Sequence, residues 1–254
     1  MKIQNRQVKI LEILRAMQRI VTINELVDIL GVSGITIRRD LQELEEKKAV
    51  IRTHGGCMLA GRLAMETEYH KRVAVNFELK RAIGKRAAKE INDGDIILIE
   101  EGTTCFHLST HLSHFKSLSV YTNSLALISE LSRMPNITLN LLGGVVDMDH
   151  YSVSGYITES MIEHIKFDKV FLEVDALDTS GICYENNESI ARLAKIMLRQ
   201  GKERILLCDH TKLGRNAYFS YASLDDFDKW ITTPEINEEQ LKLFRKKTDV
   251  ILTE

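Results

Sequence analysis

The stretch GVSGITIRRDL, residues 31–41, sets two guanidinium groups side by side, Arg38 and Arg39, near the start of a helical pattern. A helix start carries the positive end of the backbone dipole, and acids are favoured there. Two cations in that place need an anion to meet. Arginine can grip a guanine edge with two hydrogen bonds, or hold a phosphate through charge-assisted ones. A plainer reading is also open. Arg39 and Glu43 are four residues apart and can pair on a solvated helix face. The elements around the pair decide between the two.

In VKILEILRAM, Ile10, Ile13, Leu14 and Met17 fall at helical spacing. VTINEL then offers Thr22 as an N-cap and Glu25 three residues on, a capping box that opens a second helix. That helix carries Leu26, Ile29 and Leu30 and stops at Gly31, a residue suited to the left-handed turn of a helix end. Ser33 can cap a third helix. Its buried face is Ile37, Leu41 and Leu44; its other face holds Thr36, Arg38, Arg39, Lys47 and Lys48. AVIRTHGGCML follows as a β-hairpin pattern with Gly55-Gly56 as its turn. Three helices and a hairpin predict a winged helix-turn-helix over residues 1–57. The second helix of such a motif enters the major groove, N-terminal residues first. Ser33, Thr36, Arg38 and Arg39 are therefore expected at double-stranded DNA, joined by Arg52 and His54 from the wing. Charge agrees. Residues 1–57 hold ten Lys+Arg against seven Asp+Glu, a net +3, and the remaining chain is –5 within a total of –2.

Residues 58–76 read as a linker, with little periodicity from 62 to 76. From 77 to 254 the pattern is α/β. ELKRAIGKRAAKEI, SLALISELS and ESIARLAKIMLRQG read as helices. DIILIE, LSVYT, ITLNLLGG, KVFLEVD, RILLCD, KWITT and DVILT read as strands, several of them nearly continuous apolar runs. Such runs suit strands buried on both faces of a parallel sheet, so the expected fold is an open, Rossmann-like α/β domain. The lone Trp230 falls in one of these strands and reads as core. Ligands of open α/β sheets sit beyond the carboxyl ends of strands. Four polar loops fall there: Gly102-Thr103-Thr104, Asn123-Ser124 after Thr122, Gly143-Gly144, and Asp209 with Thr211 and Lys212. Small residues let backbone approach an anion, and lysine binds phosphate as a point charge. Together they predict a site for a small anionic ligand.

Other constellations point to plainer roles. His107 and His111 are spaced to bind a metal on a helix, but Leu108, Leu112 and Phe115 take the core-facing positions, so these histidines and His114 are expected in solvent. Neither metal nor cofactor is expected. Cys57, Cys105, Cys183 and Cys208 show no paired spacing and read as reduced, mostly buried thiols. No apolar run approaches membrane-spanning length, and the polar start MKIQNRQVKI lacks an apolar signal core, so a cytoplasmic location away from membranes is expected. Glu173, Asp175, Glu185 and Glu188 could supply an acid/base pair for sugar isomerisation, which keeps an enzymatic alternative open.

TINELVDILGVSGITIRRDLQELEEKKAVIRTHGG resembles the DNA-binding signature of the DeoR family of bacterial transcription regulators, a V-S-x-x-T-I-R-R-D-L pattern followed by a wing ending in H-G-G. Val32, Ser33, Thr36, Ile37, Arg38, Arg39, Asp40 and Leu41 match, with His54, Gly55 and Gly56 in the wing. The similarity continues through KRAIGKRAAKEINDGDIILIEEGTT, YTNSLALISEL, LLGG, SVSG and DHTKLGR. It implies a sensor domain like the sugar-phosphate isomerases, in which a phosphorylated sugar changes DNA affinity without being converted. Gly102, Thr103, Thr104 and Lys212 would hold the phosphate, and Asn123, Asp175 and Asp209 the hydroxyls. It also implies a homo-oligomer, a dimer or a tetramer. Two departures stand out. The family has Asp-Ser before Gly-Thr-Thr, where this chain has Glu100-Glu101, and its glycine-rich stretch reads LEVDALDTSG here, with Glu173 and Asp175. A carboxylate beside a phosphate loop is repulsive, and can instead bond sugar hydroxyls. The expected function is that of a DNA-binding regulator, a repressor of carbohydrate genes. The alternatives are an isomerase-like enzyme bearing a DNA module, and a constitutive DNA binder whose α/β domain only oligomerises.

Overall fold

The computed structural model describes residues 3–17, 20–47, 49–52, 56–59 and 66–254. The chain divides into two compact units, Met1–Phe77 and Glu78–Glu254.

The first unit runs α1 (Ile3–Met17), β1 (Val21–Thr22), α2 (Ile23–Leu30), α3 (Gly34–Glu46), β2 (Val50–Arg52), β3 (Gly56–Leu59) and α4 (Glu66–Ala74). Its core is Ile10 and Leu14 of α1, Leu26 of α2, Ile37, Leu41 and Leu44 of α3, with Val21, Val50 and Cys57 from the strands. Thr22 closes the capping box with Glu25, and Gly31 ends α2 in the left-handed conformation at φ 64°. The wing is a three-stranded antiparallel sheet, β1-β3-β2. β1 was not legible as a strand, since two residues carry no periodicity. Its pairing explains Gly56, which lies in β3 rather than in the hairpin turn. A β-carbon there would collide with the Val21 carbonyl, so only glycine lets β3 approach β1. The segment expected as a linker carries the last residues of β3 and all of α4, whose Tyr69, Val73 and Ala74 are buried.

A buried polar clamp sets the angle of α3 on α1. Arg6 grips the Asp40 carboxylate with Nε and with Nη2, the latter at 2.8 Å. Gln7 donates to Glu43 at 2.7 Å and accepts from Lys47 at 3.3 Å. Asp40 thus faces inward while its neighbours Arg38 and Arg39 face out.

The second unit begins with α5 (Phe77–Ala88), β4 (Ile96–Ile99), α6 (Thr103–Ser109), β5 (Leu118–Thr122), α7 (Ala126–Leu131) and β6 (Ile137–Leu141). Next come β7 (Val145–Asp147), β8 (Ser152–Ser154), α8 (Tyr156–Glu163), β9 (Phe167–Leu172), β10 (Ala176–Leu177), β11 (Ile182–Glu185) and α9 (Glu188–Gln200). β12 (Gly201–Leu207), β13 (Phe219–Ser223), β14 (Lys229–Thr232), α10 (Glu238–Phe244) and β15 (Asp249–Leu252) complete it. The seven strand-like runs of the sequence form one sheet, ordered β15-β14-β12-β9-β4-β5-β6. Every pairing in it is parallel. Ile97-Leu98-Ile99, Val170-Phe171-Leu172 and Ile205-Leu206-Leu207 are buried without a break. Successive residues of a strand point to opposite faces, so unbroken burial means both faces are covered. Trp230 is fully buried, edge-on to Phe244, with its Nε1 donating to the Cys208 carbonyl. All four cysteines are free and buried.

Replacing Asp40 with alanine leaves the buried Arg6 guanidinium without its partner. The expected loss of stability of the first unit is about 1–3 kcal/mol, read by chemical denaturation against the wild-type chain.

Candidate nucleic-acid interface and effector pocket

Ser33 caps α3: its Oγ accepts from the Thr36 amide at 3.3 Å, and the two hydroxyls lie 2.9 Å apart. With Ile37, Leu41 and Leu44 turned into the core, the opposite face shows Ile35, Arg38, Arg39 and Gln42 to solvent. Arg39 lies 3.8 Å from Glu43, the pair that the plainer reading foresaw, yet its side chain is 79% exposed. So loose a contact is worth only tenths of a kcal/mol (~0.3–0.5) and yields to a phosphate or a base. Arg52, in β2, lies 3.6 Å from Glu45 and so stays near the end of α3. His54 and Lys48 lie outside the described residues. The structure adds Ile35, a large apolar side chain left 79% exposed beside the arginines. An apolar group there suits the methyl of thymine. The signal was present in the sequence, because helical spacing puts residue 35 on the same face as 38, 39 and 42.

In the second unit, parallel strands bring the expected loops to one carboxyl edge. Glu100 and Glu101 follow β4, Asn123 follows β5, Glu173 and Asp175 follow β9, and Asp209 follows β12. Four of them, Glu100, Glu101, Asn123 and Glu173, are buried and hydrogen-bonded in two pairs. Asn123 Nδ2 donates to the Glu101 carboxylate and, at 3.2 Å, to the Val153 carbonyl. Glu100 accepts from the Glu173 amide at 2.7 Å. The Glu173 carboxylate in turn lies on the Gly102-Thr103-Thr104 loop, accepting from the Thr104 amide at 2.5 Å and from the Thr103 hydroxyl at 3.4 Å. Lys80 of α5, itself buried, donates to that hydroxyl at 2.8 Å. Gly102 is glycine for a local reason, since a β-carbon would strike the Glu173 carboxylate. The loop read as a phosphate cradle therefore already holds a side chain that belongs to the chain.

The other expected residues divide. Asp175 accepts from the amide and side chain of Asn186, at 3.0 and 2.9 Å. Asp209 caps the turn that carries Lys212, accepting from the Thr211 amide at 2.8 Å. Its second oxygen, Asn123 Oδ1 and the Ser124 and Ser152 hydroxyls are buried without a partner among the described residues. Gly143 and Gly144 serve packing. Thr158 of α8 donates to the Gly143 carbonyl at 2.7 Å, and a β-carbon on Gly144 would strike the Thr158 hydroxyl. Glu188 stands exposed at the start of α9, apart from the acidic group. His107 is a correction. It is buried rather than solvated, because α5 packs so closely on α6 that Gly84 meets the His107 backbone and the ring lies edge-on to Phe106. Lys80 was missed; nothing distinguishes it from the other cations of its helix until the fold buries it.

Two family models match the chain. One, described as a DeoR-like helix-turn-helix domain, covers residues 6–61, and the other, the DeoR C-terminal sensor domain, covers residues 75–233. The chain is 33% identical to the uncharacterized HTH-type transcriptional regulator YgbI of Escherichia coli, over 96% of this chain and 95% of that protein. It is likewise 33% identical to the HTH-type transcriptional repressor GlcR of Bacillus subtilis, over 99% and 96%. The glycerol-3-phosphate regulon repressor of E. coli is 30% identical over 90% of both chains. All three are named as regulators or repressors, none as an enzyme.

The electrostatics of the edge are strongly acidic. Burial, and next the neighbouring Glu101, push the Glu100 carboxyl well above the ordinary carboxylate range. Burial likewise raises Glu101, against the hydrogen bond from Asn123. Glu185, at the end of β11, is raised by burial and then by Asp175. For Asp175 burial also pulls upward, but the Asn186 amide and the charge of Lys212 outweigh it and hold the carboxyl below its usual value. Of the two carboxyls, Glu185 is thus the one that holds a proton more tightly. A raised carboxyl binds its proton more tightly in the folded chain than in the unfolded one. Its contribution to stability is complete below the unfolded value, near 4.5, and is lost as pH rises through the folded value. Glu185→Gln keeps the neutral form at every pH. It should flatten the decline of the thermal midpoint between mildly acidic and neutral pH, most visibly at the neutral end.

Proposed function

The chain belongs to the DeoR family of helix-turn-helix transcriptional regulators, and from that premise we propose that it is a cytoplasmic repressor of carbohydrate genes. Its operator affinity is set by a small carbohydrate-derived effector, a phosphorylated sugar or a related metabolite, bound at the carboxyl edge of the α/β unit. The observation that carries the DNA half is the presentation of Arg38 and Arg39, held outward on a capped helix that Arg6 and Asp40 brace from within. On the effector side, support comes from buried hydrogen-bonding atoms of Asn123, Ser124, Ser152 and Asp209 that have no partner among the described residues, together with Asp175 and Lys212. A buried polar atom without a partner costs about 1–3 kcal/mol, a cost that a hydroxylated ligand can relieve. The relative named for a glycerol-3-phosphate regulon supports an effector of that general class.

Assembly as a symmetric homo-oligomer fits the same reading, since helix-turn-helix proteins commonly read two half-sites. Val145 and Val146 of β7, and Tyr156 and Ile157 of α8, are large apolar side chains left exposed. Among the described residues, no helix is long and apolar enough to cross a membrane.

Arg38→Ala or Arg39→Ala should weaken operator binding by about 1–3 kcal/mol where the residue reads a base, and lower the salt slope where it reads a phosphate. Unchanged affinity in both variants, with the fold intact, would refute the interface. Sedimentation should show a dimer or larger at micromolar concentration, and Tyr156→Glu should shift it toward monomer. In a screen of sugars and sugar phosphates, at least one compound should change operator affinity. Lys212→Ala should weaken that response by about 1.5–3 kcal/mol while binding without effector survives.

A further inference from the structure

We propose that Ile35 is a specificity-determining residue for the operator: its side chain packs on the C5-methyl of a thymine in the major groove. The inference deepens the proposed function and rests on its reading of α3 as the helix that meets the bases.

Placement comes first. Ser33 is the N-cap of α3, so Ile35 is the second helical residue, in the turn that leads into a groove. It precedes the buried Ile37 by two residues, roughly 200° around a helix of 3.6 residues per turn, and so points away from the core. Among the described residues of the first unit it is the most exposed large apolar side chain; Val75 follows at 57%.

Lone exposed isoleucines are common on protein surfaces, but this one stands among cations. Arg38 and Arg39, three and four residues on, share its face and are exposed. Arg38 turns back over the first turn, its Nη1 3.6 Å from where a β-carbon on Gly34 would stand. Gly34 has no side chain to screen that turn. Ile35 and the Arg38 guanidinium thus front the same short stretch of whatever α3 meets.

The hydroxyls of this turn are already engaged. Ser33 Oγ accepts from the Thr36 amide and lies 2.9 Å from the Thr36 hydroxyl, and Thr36 is half-buried. They hold the cap, which leaves Ile35 and the arginines as the side chains best placed to reach base edges. An arginine reads guanine through hydrogen bonds. Isoleucine has no donor or acceptor and recognises a base edge only by apolar contact, and the apolar group that marks a base in the major groove is the thymine methyl. A G·C pair has no such methyl, and a reversed A·T pair carries it on the other strand. Packing the two together removes apolar surface of both from water, which favours the complex.

The test starts from the full chain and random duplex DNA, from which rounds of binding and amplification select an operator. Each thymine is then replaced, one at a time, by deoxyuridine, which lacks only the methyl. At least one replacement should weaken wild-type binding about four-fold, the factor to which about 0.8 kcal/mol for one buried methyl group converts. In Ile35→Ala, which keeps both arginines, the same replacement should change affinity by less than about two-fold. The thermal midpoint of that variant should match wild type, because the side chain it loses is exposed. Selection repeated with Ile35→Ala should return operators in which that thymine is no longer preferred, a readout that holds even where the variant binds weakly. A wild-type chain indifferent to every deoxyuridine would overturn the proposal. So would an alanine variant with the same loss at the same thymine, or one that selects the same base there. If the wild-type chain selects no duplex at all, the DNA reading fails and takes this inference with it; a selected operator indifferent to the methyl defeats this inference alone.

Discussion

The rest of the second unit depends on seven strands that all run the same way. A parallel sheet buried on both faces needs apolar runs at every strand and long returns between them. Every strand then ends at one edge, and that edge is where polar side chains can gather. Glu100, Glu101, Asn123 and Glu173 come from three different strand ends, yet they meet because β4, β5 and β9 are neighbours in the sheet. Once gathered they must satisfy one another, because buried polar groups without partners are costly. Glu100 and the Thr103-Thr104 turn do so on Glu173, and Asn123 does so on Glu101.

The first unit meets a related demand with different means. α3 turns its cations outward, where they add little to folding. Stability is placed on the other face, in Ile37, Leu41 and Leu44, and in the Arg6–Asp40 clamp. Sequence neighbours thus take opposite roles: Arg38 and Arg39 look to solvent, Asp40 to α1. The clamp holds an orientation that apolar packing alone leaves looser, because hydrogen bonds from one guanidinium to both oxygens of a carboxylate fix direction as well as distance.

Much of the architecture is legible in the sequence. The capping box at Thr22, the glycine stop at Gly31, the cap at Ser33 and all seven strands of the main sheet follow from local chemistry and period. Each of these signals is complete within a few residues. The winged helix-turn-helix and the parallel α/β unit could be read for that reason, and so could the outward arginines.

What sequence could not decide was what each polar residue would meet. Glu173 was visible as a departure from the family pattern, but its place on the Thr104 amide, 69 residues away in the chain, depends on β9 lying beside β4. Lys80 was one cation among several on its helix until packing buried it against Thr103. Gly143 and Gly144, expected in a ligand loop, also pack closely against Thr158 of α8, which the sequence did not show. His107 lay on the solvent side of a helical pattern until the close approach of α5 covered it, and Gly56 was a turn residue until β1 paired with β3. The chain by itself determines periodicity, caps and strand order of appearance, because those are interactions between near neighbours. Charge compensation and close backbone approach are settled by residues far apart in sequence, and only the tertiary structure says which of them come together.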